Sequence, residues 1–205
     1  MRASLGPVLE PVDIVSLRPT QITVGLREVE LKRRQWRERG TNHDEHYLGR
    51  HMVPVAIGPK GHLYVVDHHH LLRALHDEKV PQVLTRTVAD LGSLDKPLFW
   101  TALDKLGLLH PFDAAGSRRD YEHIPESIAD LVDDPYRSLA GELRRNGGYA
   151  KVQLPFAEFL WADYLRSQFA AADLAGDFDA VLEKALVVAR QRAASYLPGW
   201  CGVDD

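Results

Sequence analysis

One change of hydrophobic period constrains this chain more than any other feature. Leu63-Tyr64-Val65-Val66 is a short run of β-forming apolar residues. Immediately past Asp67-His68-His69-His70, the apolar positions recur at helical spacing as Leu71, Leu72 and Leu75. A strand must therefore end, and a helix begin, within four polar residues. Residues 52–58 read as a strand before it, and Pro59-Lys60-Gly61-His62 as the turn of a hairpin joining the two. Pro54 implies that the first hairpin strand is an edge strand or starts there. The helix is expected over residues 68–78 with Asp67 as its N-cap, and a strand returns over residues 80–88.

Upstream, residues 12–17 suit a first strand and Arg18-Pro19-Thr20-Gln21 a turn. A helical pattern then runs from Val24 to Arg39, with Gly40 as its stop. The polar residues 41–47 read as a loop or short helix. Residues 12–95 are thus expected to form a small mixed-sheet core. Residues 96–205 read as a mainly helical extension packed on it, with helices over 97–108, 125–132, 134–145, 155–169 and 178–196. Residues 110–119 are the expected flexible loop. The fold class is α/β, of the α+β kind.

The 205 residues carry a formal net charge of −4, unevenly placed. Residues 1–100 hold a slight basic excess and eight of the ten histidines, while residues 101–205 are acidic. Chemistry is expected in the first half. An acidic chain is a poor nonspecific DNA binder, because counterion release needs clustered Lys and Arg. A single cysteine, Cys201, allows neither an internal disulfide nor a cysteine metal cluster. The N-terminus lacks the apolar run of a secretory signal and no segment reaches membrane-spanning length, so a cytoplasmic location is expected.

The strand-to-helix turn is the first candidate site. A helix N-terminus offers unpaired N–H groups and the positive end of a dipole, which favour a phosphate. His68, His69 and His70 add donors and proton shuttles, and Arg73, one turn past His69, completes a cradle. Consecutive helical residues diverge by about 100°, so the three rings cannot all face one ligand. Asp67 either caps the helix, accepts a proton or binds a metal. With His69 and His70, or with loop residues His43, Asp44, Glu45 and His46, it is a candidate site for a divalent Mg or Zn ion.

On the first helix, Glu28 and Lys32 are four residues apart and share a face. They are either a surface ion pair or a general base beside a phosphate-binding ammonium. Lys32, Arg33, Arg34, Arg37 and Arg39 read as a nucleic-acid stripe or, with Glu28, Glu30 and Glu38 interrupting, as a solvated face. Asp134-Pro135 reads as an N-cap with proline in the first turn, which leaves Arg137 as a candidate anion clamp. Glu158 and Trp161, one turn apart, are either a helix rim and a packed aromatic or the wall of the histidine pocket.

Asp67-His68-His69-His70 followed by Leu71-Leu72-Arg73 resembles the box that opens a helix in ParB-type domains, and sulfiredoxin uses a related turn for nucleotide phosphates. His68 stands where that box carries glycine, and Leu71 where it carries arginine. Leu17-Arg18-Pro19-Thr20-Gln21, Val24-Gly25, Glu28-Val29, Lys32, Asp134-Pro135-Tyr136-Arg137, Gly147-Gly148-Tyr149 and Phe156-Ala157-Glu158-Phe159-Leu160-Trp161 extend the likeness. Together they resemble the putative ParB-like nuclease family over roughly residues 12–170.

The resemblance implies a ParB/sulfiredoxin-like fold and an enzyme acting on a phosphoryl or phosphodiester group, of nuclease or phosphotransferase type. Glu28, Asp67, His69 and His70 would then be catalytic. Lys32, His68, Arg73 and Arg137 would hold phosphate, and Glu158 and Trp161 would wall the pocket. The partner would be a nucleotide or other phosphorylated small molecule. A nucleotide- or anion-binding module without turnover is the alternative. A DNA partition protein is disfavoured by the acidic charge and by the lack of a helix-turn-helix pattern.

Overall fold

The computed structural model describes residues 11–39 and 51–202. The stop at Gly40, the stretch 41–47 and the loop candidates His43, Asp44, Glu45 and His46 lie outside the described residues. The fold is α+β, as expected. The chain divides into two compact units. One is made by residues up to Ile22, by Glu30–Pro111 and by Asp120–Leu131; the other by Thr23–Val29, Phe112–Arg119 and the residues from Val132 onward. A boundary at residue 95 does not describe this division, because the helix after it belongs with the sheet and a segment of the first half belongs with the helices.

The first unit is built on a mixed sheet of β1 (Pro11–Asp13), β2 (Arg18–Pro19), β4 (Val53–Ile57), β5 (Leu63–Val65) and β6 (Gln82–Asp90), in the order β1-β6-β4-β5-β2. β4 and β5 form the expected antiparallel hairpin. Helix α2 (His69–Asp77) then carries the chain across to β6, which runs parallel to β4 on its other side. β4 is therefore central, and the edge reading of Pro54 does not hold. Proline is tolerated because it is the strand's second residue, where the missing N–H costs little, while its carbonyl accepts from Val66 N–H at 3.0 Å. Tyr64, Val66 and Ala56 of this sheet are buried with Phe99, Trp100 and Leu103 of helix α3 (Lys96–Lys105). Asp95 caps that helix, accepting from Leu98 N–H at 2.9 Å.

The continuous strand expected over residues 12–17 does not form. After β1 a single 3-10 turn, Ile14–Ser16, swings Ile14 inward and Val15 out, held by Ser16 Oγ–H donating to Asp13 O at 2.8 Å. The chain re-enters the sheet as β2, parallel to β5.

In the second unit, β3 (Thr23–Val24) pairs in parallel with β7 (Val132–Asp133). Helix α1 (Leu26–Glu38) follows β3, contributing its first turn here, and helix α4 (Pro135–Arg145) follows β7. Two like-handed strand-to-helix junctions thus lie side by side. Asp133 and Asp134, adjacent in sequence, cap different helices: Asp133 Oδ1 accepts from Leu26 N–H and Asp134 Oδ1 from Tyr136 N–H. The junctions meet at Gly25, where a Cβ would come within 2.8 Å of Ser138 N, so only glycine fits.

Helices α5 (Ala157–Gln168), α6 (Ala171–Gly176) and α7 (Phe178–Ala189) complete this unit. Its core gathers Leu139, Leu143, Tyr149, Trp161, Leu165 and Val181. The sequence pattern misses α6 and runs the last helix too far, since α7 stops at Ala189 and a 3-10 turn follows at Arg192–Ala194. The helix expected over 125–132 is only the 3-10 turn Ile128–Asp130, capped by Ser127. Within residues 110–119, Asp113 Oδ1 accepts from Ala115 and Ser117 N–H, closing a tight turn.

Candidate functional site

Helix α2 begins one residue later than the sequence suggests. Its N-cap is His68, in left-handed backbone at φ 70, and the His68 side chain does not cap the helix. Asp67 is not the cap; its Oδ1 accepts from His68 N–H, one residue before the helix. The side chain of the N-cap residue accepts no hydrogen bond from the first turn of α2. This is the geometry that attracts an anion.

The three histidines separate as their angular spacing demands. His69 turns into the interior at 3% exposure, and its Nε2 accepts the Thr20 amide at 3.2 Å. Burial holds its pKa down to about 4, against the upward pull of Asp67 and the Val65 carbonyl, so the ring is neutral. Thr20 Oγ1 donates to the same carbonyl at 2.8 Å. His69 thus ties the end of β5 to the segment after β2, and its ring nitrogen is withdrawn from any ligand. His70 is also buried.

His68 is half-buried. Its Nδ1 is sealed from solvent without a hydrogen-bond partner, and its Nε2 lies 3.9 Å from Asp67 Oδ2. Burial lowers its pKa first, Asp67 opposes, and Lys32, His51 and Arg86 lower it further. Arg73 does not join the turn as a phosphate cradle. Its Nε bonds Asp77 Oδ1 at 3.1 Å and its Nη1 bonds the Leu131 carbonyl at 2.9 Å, pinning α2 to the 3-10 segment. Arg33 and Arg37 of the basic stripe are neutralised by Glu30 and Glu78.

In the second unit, Glu28, Arg137 and Glu158 come together as an ion array. Glu28 Oε2 accepts from Arg137 Nη1 at 3.1 Å, with both residues buried. Arg137 Nη2 lies 3.6 Å from Glu158, which in turn lies 3.3 Å from Arg144 Nε. Arg137 also stands over the Phe159 ring at 5.4 Å. A guanidinium holding Glu28 leaves that carboxylate a poor general base, and Arg137 is committed to two carboxylates rather than open as an anion clamp. Gly141 leaves the room, since a Cβ there would lie 3.1 Å from Glu28 Oε2. Tyr149, its hydroxyl donating to Ala140 O at 3.0 Å, has its pKa pushed up by burial. Trp161 is fully buried, stacked on Tyr149 at 4.3 Å, with its indole N–H donating to Pro198 O. It is a core aromatic, not a pocket wall.

The sequence reading missed Thr20, Arg86 and Arg144. Nothing local marks the Thr20 amide as the partner of a histidine 49 residues away. Among the described residues no three His, Cys, Asp or Glu side chains come together as a metal-binding group, and Asp67, His69 and His70 diverge.

The family model described as a putative ParB-like nuclease matches residues 10–167. The chain belongs to the putative ParB-like nuclease family. Both the Asp67–His70 turn and the Glu28–Arg137–Glu158 array fall inside the span matched by this ParB-like family. Among solved structures, a crystal structure of protein Atu1540 from Agrobacterium tumefaciens is 52% identical, with a TM-score of 0.89, covering 97% of this chain and 100% of that one. No curated protein matches. Among the described residues no helix is long and apolar enough to cross a membrane.

Proposed function

We propose that this ParB-like protein binds the phosphate of a nucleotide or a nucleic-acid end at the Asp67–His70 turn and cleaves a phosphoryl or phosphodiester bond there. The observation that carries this reading is the first turn of α2, which the side chain of its N-cap residue does not cap, with Lys32 and Arg86 acting on the His68 ring beside Asp67. Backbone amides and these positive groups would meet the phosphoryl oxygens. Water would be the nucleophile, and the neutral imidazole of His68 the group placed to take its proton. Asp67 holds the His68 amide and so fixes the turn. His69, occupied by Thr20, supports the fold of the turn rather than the chemistry, and Glu28 is held by Arg137 in the other unit.

That occupation also favours a second reading, an anion-binding module without turnover, because it removes two of the four catalytic candidates. One experiment separates them. ADP, ATP and a 5′-phosphorylated dinucleotide are titrated by NMR, with and without Mg²⁺ or Zn²⁺, and the mixtures are then resolved for products at high protein concentration. Saturable shifts at His68 with product support the enzyme. Saturable shifts without product support the module. Absence of binding by all three compounds sinks both.

A further inference from the structure

A guanidinium is a planar fork of N–H donors, matched by a carboxylate that approaches in its plane. Helix α4 sets two such forks, Arg137 and Arg144, against Glu158 in the first turn of α5. The Glu158 carboxylate is hydrogen-bonded to neither. Its Oε2 lies 3.6 Å from Arg137 Nη2, past bonding reach, and its Oε1 lies 3.3 Å from Arg144 Nε without the alignment a bond needs. Arg137 is nonetheless held, because Glu28 accepts from its Nη1 at 3.1 Å. Arg144 is not. Its side chain is only 22% exposed and its Nε is sealed from solvent, yet its one partner among the described residues is the unbonded Glu158. A mostly buried guanidinium in that state adds little to the fold. Exposure rises from 7% at Arg137 to 22% at Arg144 and 27% at Glu158, so the array meets solvent at its Arg144–Glu158 end.

We propose that the Arg144–Glu158 end of this array is a binding site for a small carboxylate, and that Glu158 occupies it until the ligand displaces it. The incoming carboxylate takes the paired, in-plane bonds from the Arg144 fork that Glu158 does not make, and Glu158 turns out to water. Arg137 stays on Glu28 and adds positive charge from behind. The ligand is a carboxylate rather than a bulkier oxyanion because the group already seated between the two forks is one. All four side chains belong to the second unit, so the site stands whether or not phosphate binds at the Asp67–His70 turn.

Malonate and inorganic phosphate are the probes. Each is titrated into the intact chain, Glu158→Gln, Arg144→Gln and Arg144→Lys, and the arginine Nε–H signals are followed by NMR. The Arg144 signal is assigned by its loss from the two Arg144 variants, and melting temperatures show which variants are folded. Malonate is expected to shift the Arg144 signal saturably and to bind more tightly than phosphate there. Glu158→Gln, which removes the internal competitor, is expected to bind malonate roughly tenfold more tightly, as when a competent state of about one tenth becomes the whole population. Arg144→Gln abolishes this binding, and Arg144→Lys, which keeps the charge but not the fork, weakens it strongly. Malonate that binds Arg144→Gln as well as the unaltered chain overturns the proposal. So does an Arg144 signal unmoved by malonate in both the unaltered chain and Glu158→Gln, which would return the array to a structural role. Tighter binding of phosphate than of malonate at Arg144 overturns the assignment of the ligand as a carboxylate. Should Arg144→Gln fail to fold, Glu158→Gln decides alone, since an affinity equal to that of the unaltered chain rules out displacement.

Discussion

His69 shows how a residue suited to catalysis can serve the fold. Its imidazole is buried, neutral and accepting the Thr20 amide, with a pKa near 4 against about 6.5 in an unfolded chain. Between those values the unfolded chain binds the extra proton, so the native state is weakened by acid. The contribution is fully present above about pH 6.5, declines as pH falls, and is lost near pH 4, an upper bound of about 3 kcal/mol. Denaturant unfolding of His69→Gln across this window should show a lower stability at pH 7 and a flatter acid slope than the unaltered chain. An unchanged slope would mean that the ring is not neutral and buried. The divergence of His68, His69 and His70 was legible from helical geometry alone. Which ring turns inward was not, because Thr20 reaches His69 only after the chain has passed through β4, β5 and their hairpin turn.

Among elements, the paired junctions β3–α1 and β7–α4 repay the closest attention. The cap at Asp134 with Pro135 behind it could be read directly, since both residues act within their own first turn. Asp133 capping α1 could not, because the donor it serves is 107 residues away. A separation of 109 residues hid the Glu28–Arg137 pair; in sequence Glu28 reads with Lys32, either as a surface pair or as a general base beside an ammonium. Removing one member of a buried pair strands the other. Arg137→Met is expected to cost about 3–5 kcal/mol, whereas Glu28→Leu with Arg137→Met should recover most of that loss. Urea unfolding of the two single variants and the double variant measures the coupling. Purely additive losses would show that the pair is not buried as described. Two of the elements misread from sequence, residues 12–17 and 125–132, share one cause. Each is a stretch of apolar residues whose period is broken by a single 3-10 turn, too short to register in a pattern count.

For the molecule as a whole, the fold class and the family were legible, and the partition of the chain was not. Composition divides near residue 95, with histidines before it and acidic helices after it. The compact units instead borrow across that point: helix α3 closes the core over the sheet, and Thr23–Val29 supplies a strand and a helix start to the helical unit. A fragment of residues 12–95 would expose Tyr64 and Val66, and one of 96–205 would leave β7 unpaired and Arg137 without Glu28. Both fragments are expected to give collapsed or aggregated material with poor NMR dispersion, and folding of either alone would count against the division. Mixing the two fragments should restore structure if the chain break is tolerated.

The interleaving of the units also bears on synthesis. Residues 23–29 leave the ribosome more than a hundred residues before β7 and α4. At about 5–20 residues per second they wait several seconds or more for the strand they pair with. During that interval β3 and the first turn of α1 have an unmet edge and uncapped amides. Slow codons between residues 29 and 132 would lengthen this exposure.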